Sequence, residues 1–269
     1  MGQLNTTMDI FKLLPKTNCR KCNAPTCLAF AAAVFQGKRQ LTDCPYVDNS
    51  DNLSIGKSAA LVREEEMLEK LNQLKAQVTQ LDLVRRAEVI GGQFNEDKLV
   101  IRILGKNFAV DQNGRLITDI HVNPWIATPV FDYLLNAKGS LPTGEWVSFR
   151  ELKNGQSWYS FFTRRCEAVL KRVADTYPEL FEDMIHLFNA RQVDNLYDAD
   201  ISVVLTPLPK VPILICYLKP EDGLDSNLHF YLDETIEENL SIQSIYTLGV
   251  GLAAMFEKIA LRHGVIITS

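Results

Sequence analysis

Four of the six cysteines stand within the first 44 residues, spaced Cys19-x2-Cys22-x4-Cys27-x16-Cys44. Thiolates hold iron–sulfur clusters, and four of them, two intervals close and one remote, supply one ligand per iron of a cubane. A proline directly after the last cysteine, Pro45, fits the same habit. Zinc is the rival, because tetrahedral four-thiolate sites also use C-x2-C pairs. Zinc ribbons normally add a second close knuckle, whereas an alanine-rich stretch separates Cys27 from Cys44 and no histidine lies nearby. The spacing therefore favours a cluster over zinc. Four unconnected core thiols are a poorer account, since lone buried cysteines do not gather in this way.

Charge is distributed to match. Through Pro45 there are six cations (Lys12, Lys16, Arg20, Lys21, Lys38, Arg39) against Asp9 and Asp43, while the whole 269-residue chain is −5. That basic island can attract an acidic partner or offset a thiolate cluster, and the acidic total argues against a general nucleic-acid binder. No apolar run is read as reaching the roughly 20 residues of a membrane span. The opening MGQLNTTMDIFKLLPKTNC lacks a basic segment followed by an unbroken apolar one, so no secretory signal is expected. The cytoplasm is the expected compartment, where clustered thiols bind metal or do redox work in preference to forming disulfides.

The elements that must position the quartet follow from local signals. MDIFKLL predicts a short helix stopped by Pro15, and LAFAAAVFQ a second one ended by Gly37. From Ser58 to Leu83 a stripe of Leu71, Leu74, Val78 and Leu81 predicts a connecting helix, packed on its own domain. KLVIRIL, NFAV and RLITDI predict a meander around the Asn113-Gly114 hairpin. Asn123 and Pro124 open a helix over WIATPVFDYLL, and a loop runs through Pro142, Gly144 and Gly155. Two helices broken at Pro178 cover Trp158 to Asn189. DISVVLTPL and VPILICYL predict a buried hairpin, LHFYLD a third strand, and Ser241 to His263 an apolar helix whose Gly249 and Gly251 allow close approach to a sheet. The class is α+β: a small helical cluster-binding domain (1–50), a linker helix (51–84), and a mixed, mainly antiparallel sheet packed with helices (85–269).

The phrase LLPKTNCRKCNAPTCLAFAAAVFQGKRQLTDCP resembles the 4Fe-4S domain at the start of the corrinoid iron–sulfur protein large subunit and in the B subunit of Rnf electron-transport complexes. The resemblance covers residues 8 to about 47 and implies Cys19, Cys22, Cys27 and Cys44 as ligands of one 4Fe-4S cluster. Asn23 departs from that family's glycine; asparagine is the next most tolerant residue of a left-handed backbone. From about residue 85, LPTGEWVSFREL, the Phe161–Cys166 stretch, PKVPILICYL and LDETIEENL resemble domain of unknown function 3786, which supplies a domain identity and no activity.

Nothing else in the chain makes a complete constellation. Cys166 and Cys216 read as core thiols, with the Arg164-Arg165 pair the one reason to suspect reactivity. His121, His186, His229 and His263 lack metal-ligand spacing, and Asp233, Glu234, Glu237 and Glu238 read as helix-start carboxylates before acid–base groups. Trp146, Trp158 and Arg150 read as packing, and there is no nucleotide-binding glycine motif. The expected function is single-electron transfer to or from a redox partner protein, by resemblance a corrinoid-containing one or an anaerobic oxidoreductase. The corrinoid would sit on the partner, because the chain lacks a D-x-H-x-x-G pattern. The competing reading is an interaction or sensor module with a structural cluster; an enzyme ranks last.

Overall fold

The computed structural model describes residues 3–4, 6–36, 38–47, 54–55, 69, 72–118, 124–177, 179–194, 196–221 and 223–264. The chain divides into two compact units, Met1–Lys70 and Leu71–Ser269.

In the first unit a two-residue strand β1 (Gln3–Leu4) pairs in parallel with β2 (Ser54–Ile55). Helix α1 (Thr7–Leu13) is capped by the Thr6 hydroxyl, which accepts from Asp9 N at 3.1 Å, and Leu14 is already extended ahead of Pro15. Helix α2 (Cys27–Phe35) is capped by Thr26, whose hydroxyl accepts from Ala29 N at 3.0 Å. A 3-10 turn, Leu41–Asp43, leads into Cys44. Ile10 and Leu14 of the first helical segment close on Phe30, Ala31 and Val34 of the second to make a small core. Gly37, the expected stop of α2, lies outside the described residues.

The second unit opens with α3 (72–78), whose Val78 is buried in the main core with Leu74 and Leu81 packed beside it. The stripe thus packs on its own unit. The expected helix to residue 84 is interrupted, however: Asp82 caps a new helix, α4 (Leu83–Ile90), by accepting from Arg85 N, and Gly91 ends it at φ 74°. Residues 51–53, 56–68, 70 and 71 of the expected linker lie outside the described set.

A four-stranded antiparallel meander follows in chain order: β3 (Gln93–Asn95), β4 (Lys98–Ile103), β5 (Lys106–Asp111) and β6 (Leu116–Thr118). Its last turn is the one expected, with Gly114 at φ 70° and the Asp111 carboxylate accepting from Asn113 N and Arg115 N. Helix α5 (Pro124–Asn136) starts where expected; its cap residue Asn123 is not among those described.

The expected loop after it contains a strand, β7 (Trp146–Ser148). A helical run then passes from α6 (Gly155–Phe162) through a π-turn at Thr163–Glu167 into α7 (Ala168–Thr176), followed by α8 (Leu180–Phe188), with Pro178 between them undescribed. The second sheet, also antiparallel, has β8 (Arg191–Gln192), β9 (Ile201–Leu208), β10 (Val211–Leu218) and β11 (Asn227–Asp233) in the order β7-β11-β10-β9-β8. A short α9 (Ile236–Asn239) and the 21-residue α10 (Ile242–Arg262) complete the unit.

By length and composition α10 could cross a membrane, contrary to the expectation of no such run. In the fold its Ile245, Val250, Leu252, Ala253, Phe256 and Ala260 are buried in the core. Its glycines do permit close approach, but to helices and not to a sheet: a Cβ on Gly249 would lie 2.6 Å from the Phe162 ring, and one on Gly251 would lie 3.3 Å from Trp125.

Buried polar groups lock these layers. The Arg86 guanidinium donates to the carbonyls of Leu134, Tyr133 and Ala137 at 2.6, 3.0 and 2.7 Å, satisfying the end of α5. The Asp132 carboxylate accepts from Ser241 N (2.9 Å), Ser241 Oγ (2.6 Å) and Asn136 Nδ2 (2.7 Å), tying α5 to the start of α10. Burial pushes the Asp132 carboxyl up, but the hydrogen bonds from Ser241, Ser244 and Asn136 outweigh it and hold the group below its usual value of 3.8. A depressed folded pKa means stability present above 3.8 and lost as pH falls through the folded value. Asp132→Asn should therefore lower stability by about 1–3 kcal/mol at neutral pH. Urea titrations at a series of pH values should show that deficit shrinking on acidification below the usual carboxylate range.

Candidate metal centre

The cysteine loop is built from backbone few side chains tolerate. Lys16, Asn18, Arg20 and Asn23 have φ of 59, 50, 60 and 54°, four left-handed residues in eight positions. Asparagine accepts that region, whereas lysine and arginine do so at a cost of roughly 1–2 kcal/mol each. Such strain persists only where the surroundings over-determine it. Asn23, at the position where the resembled family has glycine, takes the left-handed conformation its side chain tolerates.

Three side-chain ties supply that over-determination. Asn18 Oδ1 accepts from Cys27 N at 2.8 Å, joining the loop ahead of Cys19 to the first turn of α2. The Arg39 guanidinium donates to the carbonyls of Cys22 and Asn23, joining the segment ahead of Cys44 to the Cys22 loop. Lys21 Nζ donates to the Tyr46 hydroxyl at 2.5 Å and lies 5.0 Å from that ring's centre, joining the loop to the segment after Cys44. Removing the first tie, by Asn18→Ala, should cost about 0.5–2 kcal/mol of first-unit stability, the range of a lost helix cap. Amide exchange at Cys27 and Ala29 would read it as faster exchange than in the unaltered chain.

Cys27 and Cys44 are buried, 7% and 5% exposed, in the core of this unit, and Cys22 packs against the same cluster. Cys19 is exposed on the loop. The Lys21 backbone N–H lowers the Cys19 thiol pKa against an opposing effect of desolvation, with further help from the Thr17 hydroxyl and the Lys21 charge. Three of the four predicted ligands are therefore gathered by one apolar cluster. Among the described residues, no three His, Cys, Asp or Glu side chains stand at metal-holding separation. The donor set suits iron in its chemistry: four thiols, two of them withdrawn from water, one of them the first residue of α2, within a basic segment.

Spacing pointed to the cysteines but not to Arg39, Lys21 or Tyr46 as positioning residues. Their ties bridge 16 to 25 positions, and no local pattern signals them.

The second unit's suspects resolve into structure. Cys166 is fully buried in the π-turn; burial, with Glu167 nearby, pushes its thiol well up, so the neighbouring arginines do not activate it. Burial likewise raises Cys216, 3.6 Å from the Ser202 hydroxyl. The Asp233 carboxylate, 1% exposed, accepts from Thr143 N, Gly144 N, Thr235 N and the Thr235 hydroxyl, holding the loop before β7. Glu234 accepts from the Thr143 hydroxyl, Glu237 from Lys153 N, and Glu238 pairs with Lys138, so these carboxylates hold loops together. Arg150 lies over the Tyr159 ring at 5.6 Å, and Trp158 packs on the main core.

Comparison with known proteins matches the same two segments. Residues 14–46 match the family model described as "Putative Fe-S cluster". The corrinoid/iron-sulfur protein large subunit of Moorella thermoacetica is 46% identical over 55 residues, 20% of this chain and 12% of that protein. The acetyl-CoA decarbonylase/synthase complex subunit gamma of Methanothermobacter thermautotrophicus is 46% identical over 46 residues, 17% of this chain and 10% of that one. The subunit gamma of Methanocaldococcus jannaschii is 46% identical over 43 residues, 16% and 9% respectively. The chain thus spans about a tenth of the length of the curated relatives it matches. No solved structure matches it. Residues 82–255 match the model described as "Domain of unknown function (DUF3786)", which is well over half of the chain, and the protein belongs to that family.

Proposed function

We propose that the protein holds one 4Fe-4S cluster on Cys19, Cys22, Cys27 and Cys44 and passes single electrons to or from a partner protein. The observation that carries this reading is that Cys22, Cys27 and Cys44 share one apolar cluster, while the Asn18–Cys27, Arg39–Cys22 and Lys21–Tyr46 ties hold the exposed Cys19 loop beside it. Closure of the quartet on the metal is part of the proposal.

When bound, such a cluster supplies a one-electron couple whose potential depends on charge, hydrogen bonds to sulfur and exposure. The chain's own contributions follow from its residues. Cys27 and Cys44 exclude water from one side, and Cys19 leaves the other open to an approaching partner. Cys27 opens α2, and Lys16, Arg20, Lys21 and Arg39 would offset the negative charge of a cluster held by four cysteines. The matched relatives are named as subunits of a corrinoid/iron-sulfur protein and of acetyl-CoA decarbonylase/synthase complexes, which supports a protein partner for this chain too, one carrying the corrinoid or another acceptor, in a reducing cytoplasm.

Anoxic potentiometric titration tests the redox part. A reversible step of one electron per chain is expected, and a bound metal silent across the low-potential range would refute it. A structural cluster in an interaction module would instead show partner affinity that changes on cluster loss with no electron exchanged.

A further inference from the structure

The meander presents Leu99, Ile101, Ile103, Phe108 and Val110 to the core, and its other face looks outward. Register sets Gln93 opposite Val100, Asn95 opposite Lys98 and Arg102 opposite Asn107. Alternation of side chains then puts Gln93, Asn95, Arg102 and Asn107 together on that outer face. Antiparallel sheets ordinarily turn polar residues to water, so polarity alone carries nothing.

Two further features set this patch apart. It is concave, a groove of about 530 Å³ whose lining also includes Val100 and Pro209 of the β9–β10 turn. That volume falls within the range of small-molecule sites. A Cβ on Gly92 would lie 2.9 Å from the Val100 carbonyl, so the chain after α4 hugs the sheet at the end of the groove. In addition, Gln93, Asn95, Arg102 and Asn107 are exposed, and their side chains form no hydrogen bond or ion pair among the described residues, which leaves them available to a ligand. The buried Asn239 carboxamide, by contrast, is spent on structure, bonding Gly139 N, the Ser140 carbonyl and the Lys210 carbonyl.

Arg102 is the one charged side chain in the lining. A guanidinium matches a carboxylate in a two-pronged geometry, and carboxamides offer a donor and an acceptor each to neighbouring carbonyl or hydroxyl groups. We propose that this groove binds a small organic carboxylate bearing a second polar group, with the carboxylate on Arg102 and the remainder on Gln93, Asn95 and Asn107. The inference does not depend on the cluster.

The test is a titration of the 15N-labelled full chain with succinate, and with the neutral diamide succinamide, observed at the side-chain amides of Gln93, Asn95 and Asn107. Saturable shifts centred on those groups are expected, with succinamide binding about tenfold more weakly. Arg102→Gln should remove that preference, again about tenfold, while the thermal midpoint stays in place because the residue is exposed. Shifts that scatter over the surface without saturating, equal binding of the two ligands, or unchanged succinate affinity in Arg102→Gln would each overturn the proposal.

Discussion

A Cys27→Ala chain, loaded anoxically with iron and sulfide, is expected to retain under one iron where the unaltered chain retains about four. Of the proposed ligands, Cys27 is the one whose loss should leave the least recourse: it is buried, its amide is held by Asn18, and it starts α2. Cluster binding and folding are coupled in small metal domains, because the site does not exist in the unfolded chain. The same substitution should therefore expose the first unit to proteolysis while Leu71–Ser269, with its own core, stays resistant. Cys166→Ala is the internal control. That thiol is even more deeply buried but belongs to the second unit's packing, so iron content should be unchanged.

Phe162→Ala is expected to produce the largest stability loss in the second unit, about 3–5 kcal/mol, the range for deleting a buried phenylalanine ring. For a unit of this size that corresponds to roughly 6–20 °C in thermal midpoint. The ring is fully buried; it stacks on Phe149 at 4.2 Å and 6°, meets Phe230 edge-on at 5.5 Å, and fills the space left by Gly249. It thereby joins the helical run, β11 and α10 at one point, and collapse around an alanine would have to draw three elements inward at once. Its sequence neighbour Phe161 is half exposed, and Phe161→Ala should stay within about 0.5 kcal/mol. Differential scanning calorimetry of the two variants distinguishes them directly.

What could be read from the sequence divides along the range of the interactions. The iron–sulfur segment was legible because its cysteine spacing is local, and β9, β10 and β11 because each is an apolar run long enough to stand out. Strand β7 was not, since it is three residues long and exists by pairing with residues 231–233. Helix α4 carried a readable signal that was missed: Asp82 as cap, Leu83, Ala87 and Ile90 on one face, Gly91 as stop. The glycines of α10 announced close approach but not its partner, which depends on where α5 and the π-turn come to rest. Asp233 looked like a helix-start carboxylate because the backbone amides it serves, at Thr143 and Gly144, lie some 90 positions away.

Iron and acid-labile sulfide analysis of anoxically purified protein, combined with electron paramagnetic resonance before and after dithionite, tests the four-thiolate assignment most directly. About four irons and four sulfides per chain, silent as isolated and paramagnetic after a one-electron reduction, is the predicted result. One zinc per chain, no sulfide and no signal in either state would contradict it.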